Sequence, residues 1–187
     1  MHDRFRTDVL TNRNNRIIFD RWSAVALPDS WLVAGCLFQT VWNLRAGLPV
    51  EQNIKDYDLF YFDNDDLSQE AEQNAQFRVD DLFADLNIPI EVSNQARVHI
   101  WYESYFGFPY EALNSSSEGI DRFLIPATCV GMRPDAIYAP HGLDLIYEGV
   151  LTENSLTPYA KLFEQKAASY CARWPFLRVL RSLHAAV

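Results

Sequence analysis

The chain has 187 residues, with 16 basic against 25 acidic side chains, a formal net charge of -9 and a hydrophobic fraction of 49%. This composition excludes an intrinsically disordered chain. The length predicts a single domain over residues 1–187, large enough to bury a hydrophobic core. Duplex nucleic acid and anionic membrane surfaces attract basic proteins, so the acidic balance argues against both as partners.

The apolar runs and the cysteines bear on the cellular compartment. No apolar run approaches the roughly 20 residues that a bilayer-spanning helix needs, and the opening residues MHDRFRTDVLTNRNNR lack the apolar centre of a secretory signal. Cys36, Cys129 and Cys171 are isolated, and there is no Cys-x-x-Cys pair. Such cysteine usage is typical of a protein in the reducing cytoplasm, which is the predicted location.

Hydrophobic periodicity predicts alternating helices and strands in the first third of the chain. A helix is predicted at residues 15–26, followed by a short strand at 31–34. A glycine turn then leads into a second helix, which is predicted to end near Gly47. The strongest strand signal lies at 57–63, where aromatic residues are bounded by polar ones.

The middle of the chain is predicted to form a helix and then a long strand. An apolar stripe through residue 86 predicts the helix, and Asp66 with Gln69 has the spacing of a capping box at its start. Pro89 restarts an extended segment that is predicted to continue as a strand to about residue 103. Alternate residues of that strand would share one face of the sheet.

The segments after residue 103 give weaker signals. Residues 104–119 are predicted as loop, 120–133 as a helix with a short strand, and 136–151 as extended or loop. Thr157 and Pro158 suit the start of a helix that runs to residue 174, and the last twelve residues are predicted as a short basic helix. The whole pattern predicts an α/β (α+β) fold: a small mixed sheet flanked by helices, with a helical tail at 157–187.

Two aspartates at the head of the strongest strand are the main chemical signal. Asp56 and Asp58 are two residues apart, so their side chains point to the same face of a strand. Two carboxylates that close repel each other unless a cation lies between them, and oxygen ligands favour Mg²⁺. The alternative is a solvated strand end with two ordinary acids.

The surroundings of this pair favour chemistry at a phosphate. Gly35 lies between a strand and a helix, and the free backbone N–H groups of a helix N-terminus favour phosphate. Glu91 is a third acid, flanked by apolar residues on a predicted strand. A phosphate cradle, a pair of acids and a further acid are the parts that in-line nucleotidyl transfer with two metal ions requires.

This pattern resembles the nucleotidyltransferase superfamily that has the DNA polymerase β palm fold. More narrowly, it resembles the bacterial nucleotidyltransferase-like family DUF925. The resemblance covers about residues 27–148 and rests on five segments, LPDSWLVAGCLFQTVWNL, KDYDLFYFDNDDLS, EVSNQARVHIWY, ATCVGMR and APHGLDLIYEG. The Gly and Asp-x-Asp elements mark the superfamily, whereas NQARVH and the Trp-Asn pair after the glycine helix mark the narrower family.

The resemblance implies specific roles for residues of this chain. Asp56 and Asp58 would hold Mg²⁺ or Mn²⁺, Glu91 would hold the second metal ion near the acceptor hydroxyl, and Gly35 and Cys36 would lie against the phosphates of a nucleoside triphosphate (NTP). The implied reaction moves a nucleoside monophosphate from the NTP to an unidentified hydroxyl on a protein, an RNA end or a small molecule, and releases pyrophosphate.

Three departures from the superfamily pattern leave a second interpretation open. Cys36 stands where Ser or Gly is usual, the interval from Gly35 to Asp56 is longer than usual, and the third acid is Glu91 rather than Asp. The alternative is therefore a nucleotide-binding or interaction module that kept the fold and lost turnover.

Basic residues outside these motifs have two readings each. If the strand from Pro89 is unbroken, Arg97, His99 and Trp101 share one face of it. Arg97 is predicted either to contact a phosphate or to pair with a nearby acid. Lys166 and Arg173 could close over a triphosphate from the C-terminal helix, but solvated side chains are the preferred prediction for both.

Overall fold

The structure is a computed structural model that describes residues 1–180. Its helices are α1 (His2–Val9), α2 (Arg13–Asp20), α3 (Trp22–Val25), α4 (Gly35–Ala46), α5 (Gln69–Leu82), α6 (Val98–Phe106), α7 (Ser116–Asp121), α8 (Asp144–Glu148) and α9 (Ala160–Arg173). Its strands are β1 (Trp31–Val33), β2 (Tyr57–Tyr61), β3 (Ile90–Asn94), β4 (Gly131–Arg133), β5 (Ala136–Tyr138), β6 (Val150–Leu151) and β7 (Arg178–Val179). Short 3₁₀ turns lie at Ala84–Leu86, Gln95–Arg97 and Pro126–Thr128.

A five-stranded mixed sheet in the order β3-β2-β1-β4-β5 forms the centre of the molecule. β1 runs antiparallel to both β2 and β4, whereas β2 and β3 are parallel and joined by α5. The register pairs Val33 with Asp58, and Asp58 with Glu91. This arrangement confirms the predicted small mixed sheet flanked by helices.

The two faces of the sheet differ because side chains alternate along each strand. In β2, Tyr57, Leu59 and Tyr61 are buried in the main hydrophobic cluster with α4 and α5, and the intervening Asp58 and Phe60 point to the opposite face. β3 follows the same rule, with Ile90 and Val92 buried and Glu91 exposed between them. The acids of both strands therefore lie on one face.

Aromatic residues pack α9 against α4. The Trp42 and Trp174 rings lie 5.2 Å apart, and Tyr170 contacts both. The indole N–H groups are satisfied within the core, since Trp174 donates to Oδ1 of Asn43 at 2.8 Å and Trp42 donates to the Ile146 carbonyl at 3.0 Å. This packing fixes α9 beside the N-terminal half of the chain.

The predicted long strand from Pro89 to residue 103 is wrong. β3 ends at Asn94, and residues 95–97 turn into α6. Asn94 causes the turn, because its side-chain oxygen accepts from the N–H groups of Ala96 and Asp63 and its amide donates to the Asp63 carbonyl. The predicted common face of Arg97, His99 and Trp101 does not exist, since those residues lie in a turn and a helix.

Other predicted boundaries also need correction. The predicted helix at 15–26 is two helices, α2 and α3, and α1 was not predicted. Ser68 caps α5 by accepting from the Ala71 N–H at 3.1 Å, so the predicted capping box at Asp66 is wrong.

The predictions for the C-terminal segment are partly wrong. α9 begins at Ala160, later than predicted. Within the predicted C-terminal helix, residues 178–179 instead form β7, which pairs in parallel with β6, and residues 181–187 lie outside the described residues. No helix within residues 1–180 combines the length and the apolar character that crossing a bilayer requires.

Candidate active site

Three carboxylates meet on the open face of the sheet. Asp58 lies at the centre of β2, directly beside Glu91 in the parallel register of β2 and β3, and Asp56 precedes β2 by one residue. Asp56 and Asp58 are half-buried, whereas Glu91 is exposed. The structure thus brings together the acidic residues that the sequence pattern singled out.

The electrostatics of this cluster suit a divalent cation. The pKa of Asp58 is raised to about 7, first by burial and then by the negative charges of Asp56 and Glu91, and Lys166 partly opposes that rise. Oxygen donors that crowd together in this way favour a hard cation such as Mg²⁺ or Mn²⁺. Within residues 1–180, however, no three His, Cys, Asp or Glu side chains form a group that could hold a metal ion.

The N-terminus of α4 opens beside the carboxylates. Ala34 has a positive φ of 58° with ψ of -127°, and its N–H donates to the Val130 carbonyl at 3.1 Å. No side chain of the described part of the chain caps α4. Gly35 brings the backbone close to the cavity, and a Cβ there would lie 2.7 Å from Nε2 of Gln39. Uncapped N–H groups at a helix start can bind phosphate oxygens.

The side chain of Cys36 lies away from this opening. It is fully buried, and its thiol donates to the Val33 carbonyl at 3.5 Å. Burial, together with the negative charges of Asp58 and Asp56, raises the pKa of the thiol well above its usual value. Only the backbone of Cys36 is therefore suited to contact a phosphate.

A cavity of about 390 Å³ opens beside Asp58 and Gly35, and Asp56, Glu91 and Cys36 do not line it. Ala34, Gly35 and Asp58 line one end of it, and Lys166 and Tyr170 reach it from α9. The side chain of Lys166 is exposed at the rim, but the protein atoms that surround the concave site desolvate the ammonium and lower its pKa. Asp58 and Asp56 oppose that effect because they favour the charged form.

Comparison with known proteins agrees with this geometry. A family model described as nucleotidyltransferase matches residues 20–179. The chain belongs to this nucleotidyltransferase family. A solved NMR structure described as revealing a CCA-adding enzyme head domain superposes with a TM-score of 0.72 at 21% sequence identity, over 90% of this chain and 90% of that chain, and this likeness shows the fold. No curated protein matches the sequence. Membership of the narrower DUF925 family stays a prediction.

Lys166, for which a solvated side chain was the preferred prediction, is exposed and also lines the cavity. Its position depends on the packing of α9 against α4 through Tyr170 and Trp174. The signal in the sequence was the aromatic residues that follow Lys166 on α9, which indicate that one face of the helix is buried.

Aromatic side chains line the far end of the cavity, and the sequence did not predict them as part of the site. The lining of this end includes Trp101, Tyr102 and Phe106 of α6, together with Phe60, Tyr110 and Phe123. The Tyr102 ring lies 4.6 Å from Phe106 and 4.3 Å from Tyr110. Arg122 also lines this end, with its guanidinium 4.8 Å from the Tyr110 ring. The signal for this aromatic end in the sequence was the run WYESYFGFPY, which was divided between a predicted strand and a predicted loop.

Arg97 is not brought to the cavity. Its guanidinium forms an ion pair with Glu72 of α5, and its Nε donates to the Leu67 carbonyl at 3.3 Å. It is only 9% exposed, so the pair holds α5 against the turn after β3. The sequence left two interpretations of Arg97 open, and the structure shows the second one, in which Arg97 pairs with an acid.

Proposed function

We propose that this nucleotidyltransferase moves a nucleoside monophosphate from an NTP to a hydroxyl acceptor, in a reaction that requires Mg²⁺ or Mn²⁺. The observation that carries the proposal is the adjacency of Asp58 and Glu91 on one sheet face, beside the uncapped N-terminus of α4. Carboxylates and backbone N–H groups at that spacing can hold the two charged partners of a phosphoryl transfer, which are the metal ion and the phosphate chain.

The acids have distinct roles in this proposal. Asp56 and Asp58 hold the metal, which when bound stabilises the negative charge that develops on the transferred phosphoryl group. Glu91 lies on the exposed side of Asp58, where an acceptor can approach from solvent. Glu91 would hold the second metal ion near the acceptor hydroxyl and take the hydroxyl proton as the acceptor oxygen bonds to the α-phosphorus, and the bond from that phosphorus to the oxygen that bridges it to the β-phosphorus breaks to release pyrophosphate.

In this proposal the phosphate chain is held on the side of Asp58 that is opposite Glu91. The backbone N–H groups of Gly35 and Cys36 donate to its oxygens, and the Lys166 ammonium adds a positive charge from α9. Because the thiol of Cys36 is buried against Val33, the side-chain hydroxyl donor that Ser would supply is absent there.

The aromatic end of the cavity accommodates the nucleoside. A planar base can stack on Trp101 or Tyr102, and such stacking is worth about 1–3 kcal/mol per base and tolerates all four bases. Base preference is therefore expected to be weak unless Arg122 or Gln95 hydrogen-bonds to one base edge.

A second candidate is a nucleotide-binding module without turnover. The observation that favours it is the burial of the Cys36 thiol, which leaves the phosphate chain with backbone donors and one lysine. The two candidates differ in the release of pyrophosphate, which only the transferase produces. A cytoplasmic location, as predicted from the cysteines, suits either because both require NTP.

Thermal melting with each of the four NTPs, with and without Mg²⁺ or Mn²⁺, tests the proposal. Ligands that bind the native state raise the melting temperature by mass action. We expect a metal-dependent rise that chelation with EDTA abolishes and that Asp58→Asn removes. The matched control is Asp65→Asn, which makes the same charge change at an exposed position.

Two outcomes decide between the candidates. Pyrophosphate release during an acceptor search with the stabilising NTP supports the transferase, and its absence with every acceptor class supports the binding module. An Asp58→Asn variant that binds Mg²⁺–NTP as tightly as the wild type contradicts the metal assignment.

A further inference from the structure

A buried polar network links the first two helices to the candidate site. Asn12, Asn14 and Asn15 lie where α1 gives way to α2, and each is at most 7% exposed. They precede the residues that the nucleotidyltransferase family model matches, which begin at residue 20. Their contacts nevertheless reach both elements that carry the site.

One arm of the network holds the start of α4. The side-chain amide of Asn15 donates to the Cys36 carbonyl at 2.9 Å and to the Val9 carbonyl at 3.2 Å. The Thr40 hydroxyl donates to the same Cys36 carbonyl at 2.7 Å. Asn15 thus fixes the first turn of α4, whose N–H groups open into the cavity, against α1.

The other arm holds the strand of the two aspartates. Tyr57 stands between Asp56 and Asp58, and its side chain points to the opposite, buried face of the sheet. Its hydroxyl accepts from the amide of Asn14 at 3.0 Å and from the amide of Asn12 at 3.3 Å.

The two arms are connected. The Asn12 amide also lies 3.2 Å from the Thr40 hydroxyl, and its side-chain oxygen caps α2 by accepting from the Asn14 and Asn15 N–H groups. A cluster of hydrogen bonds in a low-dielectric interior is stiff, because each unmade bond is costly there.

We propose that Asn15 and Tyr57 are positioning residues, which set the N-terminus of α4 and the two aspartates at the separation that a metal-bound phosphate chain requires. The inference rests on the proposed function of the site. The physical reason is that Asp58 lies beside Glu91 of β3 and close to Asp56, and these negative charges repel one another, so β2 needs an anchor on its other face. Tyr57 supplies that anchor, and Asn15 supplies the corresponding anchor for the helix.

Three purified full-length variants test the inference. Asn15→Ala removes the donor to the Cys36 carbonyl, and Tyr57→Phe removes one hydroxyl and keeps the ring. Tyr147→Phe is the matched control, because it also removes one hydroxyl and keeps the ring, and the Tyr147 hydroxyl donates to Oδ2 of Asp8 at 2.7 Å and is not part of the cavity lining. All measurements are made well below each variant's melting temperature, so that lost stability does not mimic lost affinity.

Substitutions in the two arms of the network should weaken the binding of different ligands. Mutation of groups that orient ligands typically weakens metal binding about 10–100-fold. We expect Tyr57→Phe to weaken Mn²⁺ binding, measured by water-proton relaxation, by at least about tenfold. Asn15→Ala should weaken Mg²⁺–tripolyphosphate binding, measured by calorimetry, by a similar factor and leave Mn²⁺ binding within about twofold. Tyr147→Phe should lower the melting temperature and leave both affinities unchanged.

The outcomes separate this inference from the proposed function. If the wild type binds Mg²⁺–NTP and both site-linked variants bind with wild-type affinity, the network is only structural and the inference is overturned. If the wild type binds neither Mg²⁺–NTP nor Mg²⁺–tripolyphosphate, the proposed function is overturned and the inference with it.

Discussion

At the scale of single residues, the charge balance of the site depends on Lys166. It is the cation that opposes the rise in the pKa of Asp58, and Asp58 and Asp56 in turn favour its own charged form. In the proposed function, Lys166 therefore both relieves the crowded carboxylates and offers a positive charge to a phosphate.

Replacing Lys166 with Met should weaken binding of Mg²⁺–NTP. A hydrogen bond to a charged group is worth about 1.5–3 kcal/mol, which corresponds to a loss of tenfold or more in affinity. Calorimetric titration measures the change, and Lys161→Met, on an exposed position of α9, is the control. Equal losses in both variants would mean that overall charge, rather than position, controls affinity.

The three cysteines should differ in their reactivity toward a thiol reagent. Burial raises the pKa of both thiols, but Cys36 is fully buried and its pKa lies well above the usual value, whereas Cys171 is only half-buried. Because the thiolate is the reactive form, iodoacetamide at neutral pH should modify Cys171 first and leave Cys36 intact in the native protein. Mass spectrometry of the labelled protein measures the order. Rapid labelling of Cys36 would mean that its thiol faces the cavity.

At the scale of elements, the ion pair of Arg97 and Glu72 joins α5 to the turn between β3 and α6. Glu72 also accepts from the Asn94 N–H at 2.9 Å, so one carboxylate fixes both the end of β3 and the arginine. This junction determines where α6 begins and hence where its aromatic side chains lie in the cavity.

Replacing Arg97 with Met should destabilise the protein without changing phosphate affinity directly. Removing one partner of a buried pair leaves the other charge uncompensated, at a cost of about 3 kcal/mol in the free energy of unfolding. Urea denaturation measures the loss, and Arg78→Met, on an exposed position of α5, should be near neutral. A variant that is fully stable but binds NTP tenfold more weakly would support the phosphate-contact interpretation of Arg97.

The sequence predicted the parts of the site whose signals are local. Asp56 and Asp58 are two residues apart, Gly35 directly follows a strand, and Glu91 lies in an apolar context, so each could be recognised within a few residues. The parts it did not predict depend on contacts between distant segments. α6 was predicted as strand because its aromatic residues suit either element. The turn at Asn94 that decides the matter depends on Asp63, 31 residues away.

At the scale of the whole molecule, α9 closes the cavity because the core holds its C-terminal end. Trp174 is fully buried against Trp42 and donates to Asn43, and β7 pairs with β6 just beyond it. The position of Lys166, two turns earlier on the same helix, therefore depends on packing far from the carboxylates.

Replacing Trp174 with Ala should be among the most destabilising single changes in the core. Truncating a buried aromatic side chain to Ala costs about 3–5 kcal/mol, because the cavity left behind is only partly filled. It also leaves the buried Asn43 side chain without its indole donor. Urea denaturation should show a lower midpoint with little change in slope. The stability of Trp174→Phe should lie between those of the wild type and Trp174→Ala. Equal stability of all three proteins would contradict the described packing.

The spread of the site along the chain has a consequence during synthesis. The groups that line the cavity extend from Ala34 to Tyr170, and the helix that supplies Lys166 is the last one in the described part of the chain. When only the sheet has emerged from the ribosome, the three carboxylates are present without the lysine beside them. The nascent protein therefore cannot assemble the complete cavity until α9 has left the ribosome and docked, so in the proposed function nucleotide binding follows co-translational folding and does not assist it.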